Sequence, residues 1–330
     1  LGNGCFIKAD LFPFLKEKIF MKVAILDLGT NTFNILIVDL LGADSYKVLF
    51  QNKLAVKLGE GGINDGIIRA TPFQRGINAL REHKATIEAN KVEKVYAFAT
   101  SAIRDASNGK DFIHKVKEEV GIDIDVISGH EEAELIYFGV RSAVQLSSER
   151  SLIIDIGGGS TEFIIANKDE IFWKHSFKLG AARLLDRFKP SDPITDEQVN
   201  AINDFLREEL KPLTEQLEQL PVVELVGSSG SFDSLAEMIS YRFYTPDVLR
   251  DVTEFEFNLS DCNTIYEELL KTTREERLQI RGLIEMRVDM IVVSSILVHH
   301  ILTNYHIRRM RLSTYALKEG VLEKLLRSQE

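Results

Sequence analysis

The chain has 330 residues, enough for about two domains of ~150 residues each, and its 45% hydrophobic and 27% charged content is that of a globular protein with a substantial core. A net charge of −10 argues against a binder of nucleic acid or anionic membrane, because nonspecific attraction to phosphate requires a basic surface, so any anionic ligand must be held by a local site. Two cysteines, Cys5 and Cys262, supply neither a disulfide framework nor a four-ligand metal knot, and they suit a reducing cytoplasm.

Residues 1–20 carry scattered charges and no small-residue cleavage pattern; they read as an extension ahead of the fold, not a signal peptide. Then comes "ILDLGTNTFNILI", Ile25 to Ile37, two apolar runs around a tight turn, and "YKVLFQNKLAVKLG", which predicts a further strand pair. Thr71 and Pro72 open a helix to about Asn90 with Ile77, Leu80, Lys84 and Ile87 on one face. "KVYAFAT" predicts a short buried strand, "DFIHKVKEEVG" a helix stopped by Gly121, and "IDIDVIS" another strand. "ISGHEEAELIYFGV", Ile127 to Val140, opens the next helix with Ser128 and Glu131 as a capping box; Glu134 and Arg141 fall on its exposed side, and His130 reads as a surface residue. The second half brings "SLIIDIGGGSTEFIIA", Ser151 to Ala166, a strand near Ile171 to Phe177, helices around 195–220, the strand "VVELVGSSG", and mostly helix to the end. The apolar run Met290 to Leu302 is broken by Ser294, Ser295, His299 and His300 and is too short to span a bilayer.

Two stretches repeat. Asp27 matches Asp155, Gly29 matches Gly157, Thr32 matches Ser160 and Asn34 matches Glu162, one domain length apart. Strands followed by helices, twice, predict an α/β architecture of two related lobes: 1–20 an extension, 21–135 the first domain and 136–330 the second, with the C-terminal helix packing back on the first.

The glycine run is neither a nucleotide P-loop nor a dinucleotide fingerprint, since no Gly-Lys-Ser/Thr follows and the chain continues into a strand. It is either a plain hairpin turn or a phosphate cradle of bare amides formed by Gly29, Thr30, Asn31 and Thr32 together with Gly157, Gly158, Gly159 and Ser160. Asp27 and Asp155 either bond to turn amides or approach one Mg²⁺ from the two lobes, Mn²⁺ being the alternative ion. Glu162 either orients a metal-bound water or is merely solvated. With Glu131 engaged in the cap, Glu132 heads the stripe Ile136, Val140 and Ala143; it is either a solvated first-turn acid or a general base for water attack on phosphorus. Arg104, just after a strand, either pairs with Asp105 or Asp111 or neutralises phosphate oxygens. The loop "VGSSGSF", with Gly227, Ser228 and Gly230, is a further candidate for phosphate or nucleotide, and Arg308, Arg309 and Arg311 are either a solvated run or a guide for a polyanion.

The motifs "DLGTNTFNILI", "LGEGG", "ATSAIRDASN", "ISGHEEAELI", "IDIGGGSTEFII", "LVGSSGSF" and "LSTYALKEGVL" together resemble the exopolyphosphatase / guanosine pentaphosphate phosphohydrolase (Ppx/GppA) family, over roughly Lys22 to Leu326. The resemblance implies two ribonuclease-H-like lobes of the actin-like ATPase superfamily with the site in the cleft between them. It further implies Mg²⁺-dependent hydrolysis of a terminal phosphoanhydride in polyphosphate or a phosphorylated guanosine nucleotide. By position it implies Glu132 as catalytic base, Asp155 and Glu162 serving metal and water, and Arg104 with both turn loops holding phosphate. The chain departs from the family pattern at Glu134, where Arg is frequent, at Arg281-Gly282, where Pro-Gly is frequent, and at Ser294 or Ser295, where Gly falls. The expectation is a cytoplasmic hydrolase without nucleic-acid or membrane partners, a homodimer being left open. A nucleotide sensor without turnover and a kinase of the wider superfamily are the competing readings.

Overall fold

A computed structural model describes residues 21–42 and 45–327, so the extension assigned to 1–20 lies outside the described residues. Strands β1 (Met21–Leu28), β2 (Thr32–Leu40), β3 (Tyr46–Ala55), β4 (Lys94–Ala99) and β5 (Asp125–Val126) form one sheet in the order β3-β2-β1-β4-β5. Strands β6 (Ser151–Ile156), β7 (Thr161–Ala166), β8 (Ile171–Phe177), β9 (Glu224–Ser228), β10 (Glu254–Phe257) and β11 (Met310–Ser313) form the other, in the order β10-β11-β9-β6-β7-β8. Each sheet begins as three antiparallel strands and continues with parallel ones, β1 to β4 to β5 and β6 to β9 to β11. The repeat seen in the sequence is therefore a repeat of topology, and its register is the same: Asp27 stands opposite Asn34, and Asp155 opposite Glu162.

The helices are α1 (Ala70–Ala89), α2 (Ser101–Arg104), α3 (Gly109–Val120), α4 (Gly129–Ala143), α5 (Ala181–Phe188), α6 (Asp196–Glu209), α7 (Lys211–Gln219), α8 (Gly230–Phe243), α9 (Leu259–Lys271), α10 (Arg274–Arg277), α11 (Ile291–Asn304) and α12 (Leu317–Arg327). Among the described residues no helix is long and apolar enough to cross a membrane.

Alternation along the strands decides where the acids point. Successive strand residues face opposite sides of a sheet. On β1, Ala24, Leu26 and Leu28 pack under α1 and α3, whereas Val23 and Ile25 join a core shared with α4, α12 and the second sheet. Asp27 has the parity of Val23 and Ile25, so it faces that shared layer. Leu36 and Val38 on β2, Ile153 on β6 and Ile164 on β7 lie in the same core, which brings Asn34, Asp155 and Glu162 to the same layer by the same count. Burying each of these aliphatic side chains contributes about 1.5–3 kcal/mol, which offsets the cost of holding carboxylates between two sheets.

Helices α4 and α12 cross in this layer at two glycines. A Cβ on Gly139 would sit 2.0 Å from the Ala316 carbonyl oxygen, and one on Gly320 1.7 Å from that of Leu135. The position 135/136 falls inside α4, which packs against β7 and β8 of the second sheet while α12 packs against it and against β1.

The structure corrects several local expectations. "YKVLFQNKLAVKLG" is one strand, β3, followed by a turn that returns to the first hairpin, not a strand pair. His83, not Lys84, is the buried polar residue on α1, its ring bonded to the Phe33 carbonyl at 3.2 Å. Strands β10 and β11 interrupt the mostly helical end. Arg311 guides no polyanion: it is buried in β11 between Glu224 and Glu254, and Arg309 pairs with Glu256. Glu134 does not face solvent alone; Lys174 of β8 and Lys324 of α12 both bond it, holding its carboxyl down at about 2. Arg141 lies over the rings of Tyr137 and Phe138 with one terminal nitrogen buried.

Candidate active site

The two turns meet. A Cβ on Gly158 would lie 2.3 Å from Asn31 Nδ2, and one on Gly159 2.6 Å from both Thr30 Oγ1 and Ser101 Oγ, so only bare backbone fits there. Behind the second turn, α5 ties down three successive carbonyls: Ala181 N donates to Gly157 O and Ala182 N to Gly158 O, each at 2.9 Å, and Arg183 Nε donates to Gly159 O at 2.9 Å. A trans peptide sets its N–H opposite its C=O. The amides of Gly158, Gly159 and Ser160 therefore point away from α5, into the cavity they line. The first turn is held alike, with Leu58 N donating to Thr30 O at 2.7 Å, which turns the Asn31 amide the other way. Successive N–H groups aimed into one concavity form an anion nest.

That concavity has a volume of about 80 Å³ and is lined by Asp27, Gly29 to Thr32, Glu132, Asp155, Gly157 to Ser160, Ser229 and Arg287. Asp27 accepts from Asn34 Nδ2 at 2.9 Å and Asp155 from Ser228 Oγ at 2.8 Å. Glu132, buried in the first turn of α4, accepts from Arg104 Nη1 at 2.8 Å; the capping box leaves it free to do so, because Ser128 and Glu131 satisfy each other's backbone. Arg104 also bonds the Ile127 carbonyl at 3.1 Å. Glu162 accepts from Ser176 Oγ at 2.6 Å and sits behind the cavity wall, almost fully buried.

The electrostatics are those of a cation-hungry site. Burial pushes Asp27 up to about 6 against the Asn34 hydrogen bond. Burial does the same to Asp155, also to about 6, with Ser228 opposing and Asp27 adding. Glu132 is raised to about 7 by burial, with Arg104 opposing and Asp27 and Asp155 adding. Glu162 stands well above the ordinary carboxylate range, through burial and then Glu132 and Asp155. Glu132 thus feels Asp27 and Asp155, Asp155 feels Asp27, and Glu162 feels Glu132 and Asp155. Hard oxygen donors with shared, unneutralised charge suit a hard divalent cation. Among the described residues no three acid, histidine or cysteine side chains come together as a group that could hold a metal ion.

The loop after β9 behaves differently from its glycine pattern. Gly227 makes room for the Phe232 ring and does not line the cavity. Ser228 acts through Asp155, while Ser229 and Gly230 line a second, outer cavity of about 510 Å³ that shares Asp27, Thr32, Asn34 and Arg287 with the first. This outer space also carries Lys53, Asp233, Lys318 and Glu319, none of them flagged by the sequence. Arg287 is the residue that sequence reasoning missed most plainly. Its Nε is buried without a hydrogen-bond partner, and its guanidinium occupies the space a Cβ on Gly230 would need. A buried guanidinium nitrogen left unpaired costs free energy until an acceptor arrives.

Comparisons with known proteins place the chain in one family. The profile of the Ppx/GppA phosphatase family matches residues 37–329. A crystal structure of an exopolyphosphatase from Cytophaga hutchinsonii superposes with a TM-score of 0.89 at 40% identity, covering 94% of this chain and 99% of that one. Exopolyphosphatase 1 of Mycobacterium tuberculosis is 28% identical over 94% of this chain and 89% of its own length. The guanosine-5'-triphosphate,3'-diphosphate pyrophosphatase of Photobacterium profundum is 29% identical over 92% of this chain and 59% of its own length. With two repeated hairpins closing on one acid-lined anion nest, and with relatives matched over nearly its whole length, the chain belongs to the Ppx/GppA phosphatase family.

Proposed function

We propose that this protein is a phosphoanhydride hydrolase that releases the terminal phosphate of inorganic polyphosphate, guanosine pentaphosphate or both. The carrying observation is the meeting of two backbone nests and Asp27, Asp155 and Glu132 in one small cavity. The nest amides and Arg104 hold the terminal phosphoryl group, and Arg287 with Lys53 and Lys318 receives the rest of the substrate in the outer cavity.

Glu132 is the base that takes the proton of the attacking water. Arg104 holds it while the site lacks phosphate; a bound phosphoryl group competes for that guanidinium and frees the carboxylate in a dry pocket. Asp27 and Asp155, which line the cavity, are the residues that would hold Mg²⁺, or Mn²⁺ in its place, with Glu162 behind the wall adding negative charge. The ion would supply neutralisation of phosphoryl oxygens and orientation of water. Asn34, Ser228 and Ser176 fix the carboxylate orientations.

The test is phosphate release from long-chain polyphosphate and from guanosine pentaphosphate, side by side, with Mg²⁺ and with chelator. Mg²⁺-dependent release from at least one is expected. Tight binding without release would instead identify a sensor, and phosphate transfer from ATP to a small acceptor would identify a kinase.

A further inference from the structure

The second nest contains an asymmetry. The carbonyls of Gly157 and Gly158 are tied by backbone amides, which any residue would supply, but the Gly159 carbonyl is tied by a side chain, Arg183. The direction of the Ser160 amide therefore depends on one guanidinium. That guanidinium is forked across both lobes. Nε bonds Gly159 O at 2.9 Å in the second lobe, Nη1 bonds Ile63 O at 2.9 Å in the first, and Nη2 stands 3.4 Å from Asp105 Oδ2, also in the first.

Asp105 directly follows Arg104, and its other oxygen lies 3.8 Å from Arg104 Nε. One carboxylate is thus shared between the arginine that holds Glu132 and the arginine that holds the nest. Asn64 reinforces the same seam, donating to Asp186 Oδ2 at 2.8 Å and to the Arg183 carbonyl at 3.1 Å. The Arg183 side chain is 12% exposed, so these bonds are largely screened from competing water.

We propose that Arg183 is a positioning residue for hydrolysis: it keeps the Ser160 amide aimed at the phosphate and, through Asp105, registers that nest against Arg104, doing both only when the two lobes are closed. This rests on the hydrolase reading above. A planar fork with fixed donor directions can make three such bonds at once, and a lysine cannot. Opening the lobes separates Gly159 from Ile63 and Asp105, so the nest loses its support when the cleft opens. Closure on substrate would then assemble nest and Arg104 in a single step.

The experiment compares the parent full-length chain with Arg183→Met, Arg183→Lys, Asp105→Asn and the Arg183→Met/Asp105→Asn double variant. Readouts are kcat and KM for phosphate release and thermal melting. Arg183→Met should lower kcat about 10–100-fold, as for a modest misplacement of a catalytic group, with KM moved less than kcat and Tm within a few degrees of the parent. Arg183→Lys should recover little, and the double variant should be no worse than Arg183→Met. Parent-like kcat in Arg183→Met, full rescue by Arg183→Lys, a loss accounted for by a large fall in Tm, or independent multiplication of the two losses would each overturn the inference alone. A parent that releases no phosphate overturns it together with the hydrolase reading.

Discussion

The two hairpins share a backbone and differ in their side chains. In the first, Asp27 faces a neutral amide, Asn34, and the turn carries Thr30 and Asn31; in the second, Asp155 faces another acid, Glu162, and the turn is Gly158 and Gly159. Both turns have carbonyls tied back to their own lobe, so both offer amides to the cleft. The difference teaches how a duplicated fold gains direction. Repetition supplies a two-sided nest, and side-chain divergence sets Glu162 beside Asp155 in the second lobe and Glu132 on α4 close by, leaving the first turn with polar side chains.

The largest effect is expected from alanine in the turns. Gly158→Ala puts a methyl 2.3 Å from Asn31 Nδ2 and must displace the Asn31 and Thr30 side chains that face it across the cleft, so kcat should fall on the order of 100-fold. Gly29→Ala, whose Cβ meets only the Thr32 carbonyl at 3.1 Å, should lose roughly tenfold or less. Equal losses in phosphate-release assays would deny the asymmetry.

A smaller effect concerns charge. Asn34→Asp makes the first hairpin resemble the second and should lower the Mg²⁺ concentration needed for half-maximal release, because the added carboxylate repulsion in the metal-free site is relieved when the cation binds. Glu162→Gln should lower that repulsion while reducing kcat. A titration of activity against Mg²⁺ reads both, and unchanged curves would contradict them.

The smallest effect is on stability against pH without metal. Asp27, Asp155 and Glu132 have folded values of about 6, 6 and 7, above their ordinary values near 4. The folded state therefore binds more protons than the unfolded one between about pH 4 and pH 7. Their stabilising contribution is full below the unfolded values and is lost as pH rises through the folded ones. In chelator, Tm should fall from about pH 5 to about pH 7.5, less steeply in Asp155→Asn, and Mg²⁺ should restore it. A flat profile would contradict the assignment.

Much of this was legible in the sequence where local chemistry decides it. The capping box at Ser128 and Glu131 left Glu132 unassigned on an apolar stripe, and the repeat of "ILDLGTNTFNILI" in "IDIGGGSTEFII" matched Asp27 with Asp155 and Asn34 with Glu162. What was illegible depends on partners distant in the chain. Glu134 reads as exposed until Lys324, far along the chain, arrives to pair with it. Arg311 looks like part of a basic run until β11 inserts it beside Glu224. Arg287 lies in the short 3-10 helix Glu285–Arg287, too short for periodicity to place it, and only the fold brings it to Gly230. Short strands β10 and β11 were hidden because four residues show too little alternation against a helical background.

The most direct test of the account is the Glu132→Gln variant, measured for both phosphate release and substrate binding. The account predicts a folded protein with parent-like melting, substrate bound at least as tightly because Arg104 is no longer held by a carboxylate, and kcat reduced about 10²–10⁴-fold, the range for removal of a general base. Hydrolysis by this variant at the parent rate would contradict it.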